Sequence, residues 1–455
     1  MRTCMAALEL AAHARRAQDL IGRLHDPAIR APPLGLSKPT SNLFRERHEG
    51  PKRRLDLSGF CHVLQIDAKA GWVDVEGLTS YEALVDATLP QAVMPAVVPQ
   101  LKTITVAGAV AGVGIEATSF RQGLVHDTVL EMDVLLPGGE IVHCTPDNAH
   151  RDLFFGFPNS YGTLGYALRL RLRTLPVKPY VQVQHQPYTQ PEAFFGALAQ
   201  QFRGDADFLD GVVFAPAEQV LSVARFSDEA PWLSDYSFEH IYYLSVRQRE
   251  RDVLSTRDYL WRWDTDWFWC SKQFGAQHPL LRRLIGRRRL NSRSYARWMR
   301  WNARVGLSRR LARWRGRFTE PVIQDVDIPL ARAAEFLHFL LREIPILPIW
   351  VCPIRAADTQ RRFALYPLRP DMPYVNFGFW DVIETPVPLP PGHFNRRVEH
   401  KVIELGGIKS LYSDSFFSRE EFDLAYGMPQ YAELKAKYDP QRQLLGLYEK
   451  CVQRA

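Results

Sequence analysis

Between Trp267 and Thr319 this chain has no aspartate or glutamate, although charged residues are 24% of the whole. Cysteine is also scarce: Cys4, Cys61, Cys144, Cys270, Cys352 and Cys451 lie far apart, and no Cys-x-x-Cys occurs. That spacing argues against a zinc site or a disulfide scaffold, so no metal is expected. The thiols read as mostly buried groups in a reducing compartment. No apolar run approaches the roughly 18 residues of a membrane span. Met5 to Ala12 is short and broken by Glu9, so a secretory signal is not expected, and the N-terminal stretch reads as an amphipathic helix instead. The expected location is cytoplasmic. A hydrophobic content of 46% over 455 residues excludes long disordered tracts and suggests two or three domains.

What the chain does have is a run of small residues, Thr105 to Ala117 (TVAGAVAGVGIEA), with three glycines, four alanines and no lysine, arginine or proline. Without branched side chains, its backbone N–H groups can approach a ligand closely. Successive N–H groups in a turn form a nest for anions such as a pyrophosphate. Three readings are open. Gly112-x-Gly114-x-x-Ala117 fits a dinucleotide fingerprint, but the helix that fingerprint needs is not evident over Glu116 to Asp127, and Gly108 interrupts the strand expected before it. The run could be packed for shape alone. In the third reading it cradles a flavin.

The segments that follow favour the third. Leu130 to Pro137 alternates as a strand, Pro137-Gly138-Gly139-Glu140 is a turn, and Ile141 to Cys144 returns. Then come Asp152-Leu153-Phe154-Phe155-Gly156, Asn159 to Gly165, and the strictly alternating strand Tyr166 to Arg173. This order resembles the FAD-binding domain of the vanillyl-alcohol-oxidase (PCMH) type. Further blocks narrow the resemblance: Phe208 to Phe214, Val322 to Val326, Leu347 to Pro353, Tyr374 to Gly378 and Leu411 to Phe422. With them the chain resembles the Δ24-sterol reductase (24-dehydrocholesterol reductase, diminuto) family, as a bacterial-type member without the membrane anchor of its animal and plant counterparts.

The resemblance implies an α+β protein: a PCMH-type FAD-binding domain over 1–176, then an α+β substrate domain over 177–455 whose antiparallel sheet is covered by helices. It implies FAD bound by Thr105, Val106, Ala107, Gly108, Gly112, Val113, Gly114, Ile115, Glu116, Ala117, Thr118, Ser119 and Gly123, with Gly162, Thr163 and Gly165 from the second glycine segment. No Gly-Gly-His element is present, so the flavin is expected to be non-covalent. Lys38, Thr40, Ser41, Asn42 and Arg45 could reach a phosphate, or could belong to a surface loop. The implied reaction is reduction of a carbon–carbon double bond in a sterol-like or other lipid substrate, with NADPH as reductant. An unactivated alkene needs an acid within hydrogen-bond reach. Tyr412 is the first candidate, then Tyr374, Asp325 and Glu116; a carboxyl among them would need burial to stay protonated. Other readings are an alcohol, hydroxy-acid or sugar oxidoreductase of the same fold, or a non-catalytic membrane- or nucleic-acid-binding protein.

Two segments stand apart from this scheme. Fourteen arginines from Arg282 to Arg317 are interleaved with Trp298, Trp301 and Trp314. The block suits an anionic membrane surface, a solvated basic face or, less well, nucleic acid. Tyr259 to Trp269 packs six aromatics into eleven residues. They read either as the lining of an apolar pocket or as a core seam with Asp264 and Asp266 at its solvated edge.

Overall fold

The computed structural model describes residues 2–24, 34–37, 44–45 and 53–454. Of the candidate phosphate ligands, Lys38, Thr40, Ser41 and Asn42 lie outside that range. Two antiparallel sheets organise the chain. Strand Tyr166–Pro176 is central to the first, flanked by Trp72–Glu76 on one side and Val129–Leu135 on the other. Its alternation puts Leu168, Leu170 and Leu172 into the core and turns Arg169 and Arg171 to the opposite face. There the neighbouring strands supply acids: Arg169 bonds Asp74 (2.8 Å), Glu131 (2.9 Å) and Asp133 (2.6 Å), and Arg171 bonds Asp74 (2.7 Å). Val63–Asp67 and Ile141–Cys144 complete the edges, and the short Val93–Pro95 pairs with the end of the central strand.

The second sheet has eight strands, in the order Arg251–Ser255, Tyr180–Tyr188, Glu218–Ser227, Phe208–Ala215, Ile349–Ile354, Tyr374–Thr385, Phe318–Pro329, Ile408–Lys409. Both of its faces are buried. Leu209, Val213, Val351, Val375 and Phe377 face a core shared with helices Pro191–Gln201, Ala333–Glu343 and His393–Glu404. Their alternates Phe208, Val212, Trp350, Cys352 and Tyr374 belong to the same core as the first sheet and the small-residue run. Strands buried on both sides read as nearly continuous apolar stretches, and FLDGVVF and IWVCPI do so. The sheet thus has a helix-covered face and a face turned toward the glycine segments.

Several local expectations change. No strand leads directly into the small-residue run; Val106–Ala111 is itself a short helix, burying Val106, Ala109 and Val110 at helical spacing. Residues 440–446 are irregular ahead of the short helix Leu447–Cys451, because Asp439 ties down the backbone N–H groups of Gln443 and Leu444. Asp264 and Asp266 are not a solvated edge. Both are buried, because each has a cationic partner: Lys102 for Asp264 (2.9 Å) and Arg282 for Asp266 (3.0 Å). Arg282 is correspondingly buried while most described arginines of its block are exposed.

Candidate functional site

The two glycine segments and the inner face of the second sheet enclose a cavity of about 920 Å³. The first wall is built by the small residues. Helix Val106–Ala111 ends at Gly112 (φ −121°, ψ 9°), and Val113 then takes φ +59°. A β-branched residue in the left-handed region is a genuine outlier. Here it follows a Gly112 that has already left the helical region and turns the chain sharply at the end of the helix. The N–H groups of Gly112, Val113 and Ile115 make no hydrogen bond among the described residues, and all three residues line the cavity. Space there is tight: a Cβ on Gly112 would lie 2.9 Å from the Gly108 carbonyl oxygen, and one on Gly114 2.7 Å from Val125. Such a concave, unengaged backbone fits a pyrophosphate.

The second segment closes on the first. Asn159, Tyr161, Gly162 and Gly165 all have positive φ. The Tyr161 N–H donates to the Ala111 carbonyl (3.0 Å) and its hydroxyl to the Gly112 carbonyl (3.2 Å). Arg45 covers this junction, stacking over the Tyr161 ring and donating to the Leu411 carbonyl (2.9 Å).

The opposite wall comes from the sheet. Along Phe318–Pro329, Val322, Val326 and Ile328 point to the helices, so Asp325 and Asp327 point the other way. Asp325 is paired in register with Gly378, where a Cβ would lie 2.7 Å from its Oδ1. Glycine at this position makes room for the carboxyl. The exposed part of Asp325 opens into the cavity, whereas Oδ1 is buried with no hydrogen-bond partner among the described residues. Burial pushes its pKa up to about 8, against the opposing pull of the Tyr412 hydrogen bond. Tyr412 accepts from the Trp380 indole (2.7 Å), and burial raises its own pKa well above the phenol value. Trp350, Trp380, Trp267 and Phe268 supply apolar surface. Trp267, Phe268 and Trp269 all have positive φ, a strained turn that brings the first two to the cavity.

Glu116 joins the walls. It is buried beside Arg262 (3.2 Å), whose guanidinium also bonds Asp210 (2.7 Å), and Asp210 accepts from the Trp350 indole (3.2 Å). One cation serves two carboxyls. Burial raises the Glu116 pKa to about 7, with Arg262 holding it down and Asp210 pushing it up.

Of the expected cofactor residues, Thr105, Ala107, Gly108, Gly112, Val113, Gly114, Ile115, Glu116, Gly162 and Gly165 line the cavity. Val106 and Ala117 are in the core; Thr118 donates to the Ala96 carbonyl (2.8 Å), and Ser119 Oγ accepts from the Glu116 N–H (3.1 Å). Gly123 and Thr163 shape turns: Gly123 at φ +76° beside Asp127, Thr163 donating to the Ser160 carbonyl (2.7 Å). Among the acid candidates, Asp325, Tyr412 and Glu116 meet at the cavity. Tyr374 does not line it, and its hydroxyl accepts from the Arg369 N–H (3.2 Å). Arg262, Asp210 and Trp380 were given no role by the sequence. An aspartate inside the apolar stretch FLDGVVF was the available signal, since a carboxyl buried there needs a partner. Among the described residues no group of histidine, cysteine, aspartate or glutamate could hold a metal ion, and no helix is long and apolar enough to cross a membrane.

Comparison with known proteins agrees with this geometry. Residues 41–145 match the model of a family described as an FAD binding domain. The chain is similar to the Delta(24)-sterol reductase of Arabidopsis thaliana, 28% identical over 87% of this chain and 76% of the relative. It is similar to the human Delta(24)-sterol reductase at 26% identity, over 86% of this chain and 76% of the relative. A Caenorhabditis elegans homologue is 24% identical over 72% of this chain and 65% of the relative.

Proposed function

The chain is a distant homologue of the Delta(24)-sterol reductases with an FAD-binding domain, and from that premise we propose that it is an FAD-dependent reductase of a carbon–carbon double bond in a sterol-like or other lipid substrate. The observation that carries this reading is Asp325: a carboxyl with one buried oxygen that has no hydrogen-bond partner among the described residues, on the wall of a largely apolar cavity across from the small-residue turn, where burial raises its pKa to about 8. The nest at Gly112, Val113 and Ile115 would hold the pyrophosphate of non-covalent FAD, with Gly162 and Gly165 closing over it. Reduced FAD, when bound, supplies the hydride, and NADPH is the proposed source of electrons.

The protein's own task is the proton. Asp325 keeps one at neutral pH because ionisation in that wall is costly. Tyr412, anchored by the Trp380 indole, stands beside the Asp325 carboxyl in the same cavity wall and would steer its direction. Tyr412 is therefore a positioning residue in this reading, and Asp325 the donor. Trp350, Trp380 and Phe268 exclude water and receive a flat apolar body. Glu116 and Arg262 tie the nest to the sheet. In this reading, 1–176 form the flavin-binding part and 177–455 the substrate part, with the protein working in the cytoplasm.

The test is the visible spectrum of the purified protein before and after anaerobic NADPH, followed by product analysis with lipids bearing isolated double bonds. A flavin band that bleaches, then recovers as an alkene is saturated, is the expected outcome. A band that NADPH leaves unchanged, with oxygen consumed on adding alcohols, would overturn the reductase reading.

A further inference from the structure

The acid-free segment forms three successive helices, Pro279–Ile285, Ser292–Val305 and Leu307–Trp314. Each turns apolar side chains outward at helical spacing. Leu280 and Leu284 (80% exposed) are one turn apart on the first; Trp298, Trp301 and Val305 share a face of the second; Leu311 and Trp314 (83% exposed) share one on the third. An apolar face of this kind, rimmed by charge, marks an interaction surface rather than an ordinary solvated one.

The cations around it are one-sided. Arg283, Arg287 and Arg293 have acidic neighbours from other elements, Glu239, Asp235 and Glu82. Arg288, Arg289, Arg310, Arg313, Arg315 and Arg317 are exposed, and among the described residues none of them is in an ion pair. The surface is also connected to the cavity. The inner side of the middle helix, Tyr295 and Ala296, packs in one cluster with Trp267 and Cys270, and the Tyr295 hydroxyl donates to the Thr265 carbonyl (2.7 Å). Trp267 and Cys270 line the cavity, so one layer of side chains separates it from these helices.

We propose that this face docks the protein on an anionic lipid bilayer. Tryptophan and leucine enter the headgroup level while the guanidinium groups engage lipid phosphates. The exposed leucines decide for lipid over nucleic acid, whose phosphates are held by arginine and offer leucine no partner. Docking stands by itself; that it delivers a lipid substrate through the Trp267–Cys270 layer rests on the function proposed above.

The experiment is sedimentation of the full chain with phosphatidylcholine vesicles, with and without phosphatidylglycerol, at low and high salt. The protein should sediment with the phosphatidylglycerol vesicles, be released by salt, and show a blue shift of tryptophan emission. Changing Arg310, Arg313 and Arg317 to Gln should weaken partitioning on the order of 100-fold. Changing Trp298, Trp301 and Trp314 to Ser should weaken it roughly tenfold and abolish the blue shift. All six are surface positions, and retained flavin absorbance would report an intact fold. Failure to sediment at low salt, partitioning indifferent to both variants, or displacement from vesicles by duplex DNA would each overturn the proposal. A chain that sediments but takes up no FAD would leave docking standing and remove the reductase reading.

Discussion

Glu76 and Asp325 are carboxyls on sheet strands, and their surroundings have made them opposites. Glu76 is buried where the N-terminal helix crosses the first sheet, and accepts hydrogen bonds from Arg16 (2.6 Å), His13 (2.8 Å) and His62 (2.7 Å). Burial would raise its pKa, but these three partners together bring it down to about 2. Among the described residues no cation pulls the pKa of Asp325 down and one of its oxygens has no partner, and its pKa rises to about 8. The surroundings of the first favour an ionised clamp and those of the second a neutral acid. What separates structure from chemistry here is the number of donors left unmatched, since a folded chain seldom leaves a buried polar atom unpaired without cause.

The sharpest way to break the comparison is to make Asp325 unable to give its proton. Asp325→Asn keeps the size and neutrality of the side chain, so the fold and flavin uptake should persist while alkene reduction falls roughly 10²- to 10⁴-fold. Single-turnover reoxidation of the reduced flavin by substrate is the measurement. Unchanged turnover would return the site to an unexplained strain.

Glu76→Gln should do the reverse: leave turnover intact and cost stability, about 1.5–3 kcal/mol for hydrogen bonds to a charged group. Chemical denaturation at neutral pH would measure it. The two carboxyls also have opposite pH signatures. Because the folded pKa of Glu76 is depressed, its stabilisation is complete above the ordinary value of 4.5 and is lost as pH falls toward about 2. Because that of Asp325 is raised, the folded state holds a proton that the unfolded chain releases from 3.8 upward, so stability declines as pH rises toward about 8. Unfolding free energies of Asp325→Asn should therefore be flatter than wild type between those limits, and those of Glu76→Gln flatter in acid.

The contrast was only half legible in the sequence. The small-residue run was legible as a tight turn of small side chains, and the alternation of Tyr166 to Arg173 as a half-buried strand, because both signals are local. Asp325 was visible as a carboxyl in the block Val322 to Val326, but its raised pKa depends on a burial that Gly378 opposite makes room for and on Tyr412 and Trp380 beside it. Arg262 was hidden because its partners lie 146 and 52 residues away. The burial of Asp264 was unreadable for the same reason: a charge looks solvated until its distant counter-ion, here Lys102 at 162 residues' separation, is placed. The left-handed turn at Val113 had no signal at all, since sequence rules reserve that conformation for glycine and asparagine.

The smallest effect sharpens the assignment most. The Tyr412 hydroxyl beside Asp325 favours the ionised form of the carboxyl and so lowers its pKa. Tyr412→Phe removes that hydroxyl and leaves burial unopposed from this side. If Asp325 is the donor, turnover should fall only by up to about tenfold, the worth of one hydrogen bond, and the alkaline limb of the rate profile should move to higher pH. If Tyr412 itself gave the proton, the same variant would abolish turnover and leave no limb to move. The direction of that shift, measured with flavin content held equal, distinguishes a residue that points the acid from one that is the acid.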